Sequence, residues 1–385
     1  SASEHLDASF DTAVQLVVTA MLQDPKFLYR VEVGEELESR PGAFRLDGYE
    51  VATRLSFLVW GSTPDDELLD LAAADMLADA DTRDAALHRM LDDPRALRQL
   101  DDFHGQWLRY DNAGLPADLE EAMRNETRAL IHRAALDPDY GYMDLFASGE
   151  TFIESDALAE HYGVSGATPG WLPVADVGRG GILGQATFLA AHNNPGGTSP
   201  TKRGVFIREW LMCNEVPPPP PEAADDLPAP TSDSPCKVER LQEVHHADPT
   251  CAACHESFDP IGFGLENYDA IGRYRAFEPD DPETAIDESV ECAIDGEGAV
   301  PGLGTFSGPG ELGELLAGST ALEACMVRQL HRFAVGRDTL GDGSEAGRLQ
   351  AMTEAFATSD HDFTTLLTEF VRRDDFVLRR VDEEN

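Results

Sequence analysis

Residues 251–255 read Cys251-Ala252-Ala253-Cys254-His255, and this spacing dictates a specific chemistry. Two thiols one helical turn apart can add across the two vinyl groups of a porphyrin. A histidine directly after the second thiol falls under the iron as its axial ligand. The pattern therefore points to one covalently attached haem c, with Cys251 and Cys254 as thioether anchors and His255 as proximal ligand. Two rival readings use the same residues. A thioredoxin-like redox pair wants a strand-to-helix setting, which the flanks do not offer. A structural zinc site wants a further Cys/His pair, and Cys236, His245 and His246 are the nearest extras.

A six-coordinate haem needs a distal ligand, and several residues are candidates. Met326 follows His255 on a helix, in the histidine-to-methionine order of small cytochromes c. His192 precedes a Gly-rich loop that can present it to iron, and His331, Met212, His245 and His246 are further options. A methionine would raise the potential and suit electron transfer, a second histidine would lower it, and an open position would allow peroxide or oxygen chemistry.

Removing the motif pair from the six cysteines leaves four, which can pair in three ways. Cys236 and Cys292 both sit in loop-like sequence around the motif and are expected to pair. Cys213 and Cys325, both in helical stretches, then form the second bridge, as suits an oxidising compartment.

The elements that must position these residues are mostly helices. Apolar spacing and capping signals predict helices over Phe10–Val33, interrupted near Asp24-Pro25, and from Leu46-Asp47 to Gly61. Further ones open at Thr63-Pro64, with Thr63 as cap, and at Asp93-Pro94, and another spans Ala117–Leu136. Arg179–Ala191 reads as a buried helix, Ser199-Pro200 begins one running to Met212, and Val238–His246 leads into the motif. Residues 277–310 read as a loop or small hairpin, followed by helices over Pro309–Ala317, Ala321–Val335 and Glu345–Ala357 and a last helical pair from Phe363 to Val377. The expected class is mainly α: a helical N-terminal domain (1–150), a cytochrome-c-like helical haem segment with loop-rich insertions (151–277), and a loop or hairpin leading to a C-terminal helical domain (278–385). Five prolines at 217–221 form an extended arm within the second.

The 385 residues carry 29 basic and 72 acidic side chains, a net charge of −43. Such a field repels nucleic acid and anionic lipid. Spread along the chain, the acid reads first as a solubilising surface, and it also suits divalent cations, a salty medium or a basic redox partner protein, within a larger assembly if the chain is a subunit. No apolar run is long enough to cross a membrane. The start, Ser1-Ala2-Ser3-Glu4, shows neither an initiator Met nor a signal region, so an export signal is expected to have been removed or to lie upstream.

The order of segments resembles the C-terminal part of the exported, cytochrome-c-associated proteins of the Planctomycete type, built from consecutive domains of unknown function. Leu46-Asp47-Gly48-Tyr49 through Trp60, with Pro64-Asp65-Asp66-Glu67-Leu68, is similar to the first domain. Arg179-Gly180-Gly181, Ser199-Pro200-Thr201-Lys202-Arg203-Gly204, the attachment motif, Asp259-Pro260-Ile261-Gly262-Phe263 and Glu266-Asn267-Tyr268-Asp269 resemble the second. Arg332-Phe333-Ala334-Val335-Gly336-Arg337 and the stretch from Phe363 to Phe376 resemble the third. The resemblance implies an exported, mostly helical haem protein, placed in the periplasm, on the outer surface or outside the cell. Three functions remain open: an electron-transfer protein with a single haem, a peroxidase-like haem oxidoreductase with an open distal site, or a secreted structural module with zinc or a disulfide at the motif.

Overall fold

The computed structural model describes residues 10–110, 114–166, 168–194, 197–218, 236–247, 249–278, 292–339, 343 and 345–380. Prolines 219–221 of the expected arm, and residues 279–291 of the expected loop, lie outside them. The described chain is mostly helical with small sheets only, and none of its helices is long and apolar enough to cross a membrane.

The chain forms two compact units, and the first combines residues up to Gln99 with the return of the chain from Thr368. Its helix Gly48–Trp60 shows how local chemistry sets an element. Oδ1 of Asp47 accepts from the backbone N of Glu50 at 2.8 Å, and the Glu50 carboxylate accepts from the backbone N of Asp47 at 2.9 Å, a reciprocal capping box. Gly61 ends the helix at φ 63°, a left-handed conformation that glycine adopts without a Cβ clash. Val51, Leu55, Leu58 and Val59 form its buried stripe.

The next helix starts later than the sequence suggested. Its cap is Asp65, which accepts from the backbone N of Leu68, and not Thr63. Arg89 decides between them, because its guanidinium grips the Asp65 carboxylate at 2.8 Å and holds it well below the usual carboxylate range. Three antiparallel strands close the unit, with Ala43–Arg45 between Glu35–Glu36 and Leu378–Arg380. Fully buried Arg83 ties the returning chain in, donating to the carbonyls of Leu77, Ala78, Val371, Arg372 and Arg373. The helices Phe10–Leu22 and Pro25–Leu28 break where Pro25 requires and bury none of the first helix's apolar side chains.

The second unit, Leu100–Leu367, holds the motif and both disulfides. Its long helix Glu120–Leu136 packs beside an antiparallel hairpin, Glu150–Ile153 with Gly170–Pro173. Met123, Ile153, Leu158, Tyr162 and Leu172 fill the space around them. A buried carboxyl sits in this layer. Glu126 Oε1 accepts from Thr151 Oγ1 and Oε2 from the Tyr162 hydroxyl, both at 2.7 Å, and burial pushes its pKa up to about 7.

Residues 179–190 are buried, yet the stretch 179–191 is not one helix. Gly181 has φ 51° and passes so close to the carbonyl of Phe146 that a Cβ there would lie 2.0 Å from the oxygen. A single turn, Ile182–Gly184, and a short helix, Ala186–Ala191, follow instead. The hairpin expected near residue 300 is present, pairing Glu297–Val300 with Gly304–Ser307. Helices Gly308–Ala317, Thr320–Val335 and Ala346–Thr358 complete the unit.

Candidate haem-attachment site

The motif lies on the helix Pro249–His255, directly after the helix Lys237–Ala247. Cys251 and Cys254 are free, half-buried thiols. The other four cysteines are consumed in the pairs expected from the sequence, Cys213–Cys325 and Cys236–Cys292. The helix therefore presents two thiols and then His255, in the order covalent haem attachment requires.

The sequence reading missed how His255 is held. Its Nδ1 lies 2.9 Å from Oδ2 of Asp259, and Nδ1 of His245 reaches the same oxygen at 2.5 Å. The two imidazoles stack with ring centroids 3.6 Å apart, and Phe258 closes on the His255 ring from its side. Asp259 Oδ1 accepts from the Thr201 hydroxyl at 2.9 Å. The Asp259 side chain is 1% exposed, and burial pushes its pKa upward. Hydrogen bonds from His245 and His255 together outweigh that effect and hold the carboxyl below its ordinary value.

Asp259 opens the short helix Asp259–Phe263, and Thr201 stands in the first turn of the helix Pro200–Phe206. These helices touch through two glycines. A Cβ on Gly204 would lie 1.9 Å from the carbonyl oxygen of Phe258, and one on Gly262 would lie 1.8 Å from that of Pro200. Only backbones without side chains can approach so closely, and this approach brings Thr201 to Asp259.

A second buried acid fastens the frame. Glu266 Oε2 accepts from Thr198 Oγ1 at 2.7 Å and Arg275 Nη2 at 3.0 Å, with Lys237 Nζ at 3.4 Å. Arg203 lies 3.6 Å from the other oxygen, fully buried, and donates to the carbonyls of Leu189, Leu265 and Tyr268. Desolvation lowers its pKa to about 10, so it stays a cation at neutral pH. The Cys236–Cys292 bridge closes the stretch of chain that carries His245, the motif, Asp259 and Glu266.

Of the residues expected as distal candidates, His192, Met212, Met326 and His331 are buried. His192 is buried, stacked on Phe206 at 3.8 Å with Nε2 3.1 Å from the carbonyl of Leu108. Burial lowers its pKa to about 4, so it is neutral. His331 is fully buried, with Nε2 3.0 Å from a guanidinium nitrogen of Arg348. Met326 is fully buried on the helix Thr320–Val335, beside the bridged Cys325. Among the described residues, the histidine brought to His255 is His245, and the three groups able to hold a metal together are His245, His255 and Asp259. His245 lies against the His255 ring and shares its acceptor.

Three family models match the chain in succession. Residues 46–164 match the domain described as a protein of unknown function, DUF1592, residues 179–278 match DUF1588, and residues 304–376 match DUF1585. The chain carries these three domains in order. They are the domains associated with cytochromes c of Planctomycetes. The DUF1588 domain contains Thr201, His245, the whole attachment motif, Asp259 and Glu266. The DUF1592 and DUF1585 domains each have residues in both compact units, since those units divide at Gln99 and Leu367. No curated protein and no solved structure matches the chain.

Proposed function

We propose that the protein is a c-type haem protein, with one haem anchored by Cys251 and Cys254 and ligated by His255, working as an electron carrier in an exported redox system. The observation that carries this reading is the selective pairing of the cysteines. Four are bridged, while the two at the motif remain thiols on one helix face, directly before a histidine whose Nδ1 is already engaged. That engagement leaves Nε2 as the ligating nitrogen and fixes the ring's orientation. A haem held there supplies a one-electron couple. The protein's own contribution is to anchor, to orient His255 and to shield one side with His245 and Phe258. The names of the matched domains support the same reading, and two disulfides support an oxidising compartment. The net charge of −43 favours a basic partner protein.

A second reading, a haem oxidoreductase with an open coordination position, is favoured by the prior engagement of His192 and His331. One experiment separates the readings. Protein made in a host that attaches haem is examined by reduced-minus-oxidised spectroscopy, metal analysis and carbon monoxide binding. Electron transfer requires a c-type spectrum with one iron per chain that resists carbon monoxide at neutral pH. Rapid carbon monoxide binding favours the open site. Zinc without haem eliminates both.

A further inference from the structure

His255 is oriented from outside its own helix. The carboxylate that meets its Nδ1 begins the following helix, and that helix is docked through Gly204 and Gly262 on the helix that carries Thr201. Asp259 thus makes three contacts while almost wholly buried: Thr201 on one oxygen, His245 and His255 on the other. A buried carboxylate interacts more strongly with its donors than one in water, because little solvent screens it. Hydrogen bonding from the unligated nitrogen of a metal-bound histidine to a carboxylate raises the basicity of the ligating nitrogen.

We propose that Asp259 is a positioning residue for His255, and that its Oδ2, shared with His245, sets how strongly Nε2 of His255 donates to iron. The inference rests on the haem reading above and extends it to residues outside the attachment motif. Negative charge passed to His255 stabilises the oxidised iron and lowers the reduction potential. His245 draws on the same oxygen and moderates that effect. Removing the carboxylate charge and removing its second donor should therefore move the potential in opposite directions. A role in packing alone gives no such pair of signs.

The test uses the full chain with haem attached. Covalent haem is first measured on denatured protein, and the midpoint is then read by potentiometric titration of wild type, Asp259→Asn and His245→Phe. Asp259→Asn keeps size and an acceptor oxygen but loses the charge. At the wild-type midpoint it should shift the reduced-to-oxidised ratio at least tenfold toward reduced, which for one electron is ~59 mV. His245→Phe keeps a ring against His255 and leaves Oδ2 to His255 alone. It should shift the ratio at least threefold toward oxidised, and it decides the matter if Asp259→Asn fails to fold or to retain haem. Covalent haem with an unmoved midpoint in either variant overturns the proposal, as does a shift of the same sign in both. A wild-type chain without covalent haem overturns the functional reading itself, and this assignment with it.

Discussion

Glu126→Gln removes one buried proton site from the second unit while keeping the shape of the side chain. The wild-type carboxyl meets the hydroxyls of Thr151 and Tyr162, and Thr151 Oγ1 also accepts from Gln185 Nε2 at 3.1 Å. An amide can accept from Tyr162 and donate to Thr151 in the same place. Burial, the largest influence on Glu126, raises its pKa from 4.5 to about 7 against the hydrogen bonds of Thr151 and Tyr162 and the charge of Arg179. Between those values the folded chain keeps a proton that the unfolded chain has released. Its stabilising effect is therefore full below pH 4.5 and is lost as the pH rises through 7. The shift corresponds to about 3 kcal/mol. His104 and His192 act in the opposite sense, since burial lowers both to about 4. Their contribution is present above 6.5 and disappears as the pH falls toward 4. These histidine effects cancel when wild type and variant are compared at each pH. Urea unfolding can be followed by fluorescence, because Trp107, Trp171 and Trp210 all lie in this unit. The stability of wild type minus that of Glu126→Gln should fall by about 3 kcal/mol between pH 4.5 and 7. A difference that stays flat across this range would refute the reasoning. It would mean that Arg179 and the two hydroxyls hold the ionised carboxylate as well as water does.

Gly262→Ala should destabilise the second unit by about 1–3 kcal/mol in thermal unfolding and reduce the yield of covalent haem, because a Cβ there meets the Pro200 carbonyl oxygen at 1.8 Å. Arg83→Met should cost the first unit at least about 3 kcal/mol, since it strands five carbonyls, several of them buried, that the guanidinium now satisfies; differential scanning calorimetry measures the loss. Replacing Cys236 and Cys292 together by serine opens a bridge with a sequence separation of 56. It should lower stability by about 4 kcal/mol on loop-closure grounds, read as a shift of the urea midpoint.

What was legible in the sequence is what short-range chemistry decides. Asp47, Glu50 and Gly61 mark a helix because the capping box and the left-handed stop lie within a few residues of the groups they satisfy. The choice between Thr63 and Asp65 depended on Arg89, which is distant in sequence. Gly180-Gly181 reads as part of an apolar helix until the Phe146 carbonyl is placed against it. The same divide runs through the site. Cys251, Cys254 and His255 are recognisable because the chemistry fixes their spacing. Asp259 stands four residues after His255 with no spacing that ties it to the motif's chemistry, while its anchor Thr201 lies 58 residues away. His245 was visible as a metal-ligating residue, but only the fold puts it beside His255.

The strand Leu378–Arg380 and the carbonyls of Val371, Arg372 and Arg373 complete the first unit, whereas the second is drawn from the continuous stretch 100–367. On a ribosome this inverts the usual order of assembly. At about 5–20 residues per second, Ala43–Arg45 waits roughly a quarter of a minute to a minute for its partner strand Leu378–Arg380 to be synthesised. Throughout that interval Arg54, on the helix Gly48–Trp60, has not yet met the carbonyls of Phe376 and Leu378. The second unit can fold while the first still lacks its last strand, so a truncation that removes Leu378–Arg380 should leave the second unit intact and destabilise the first.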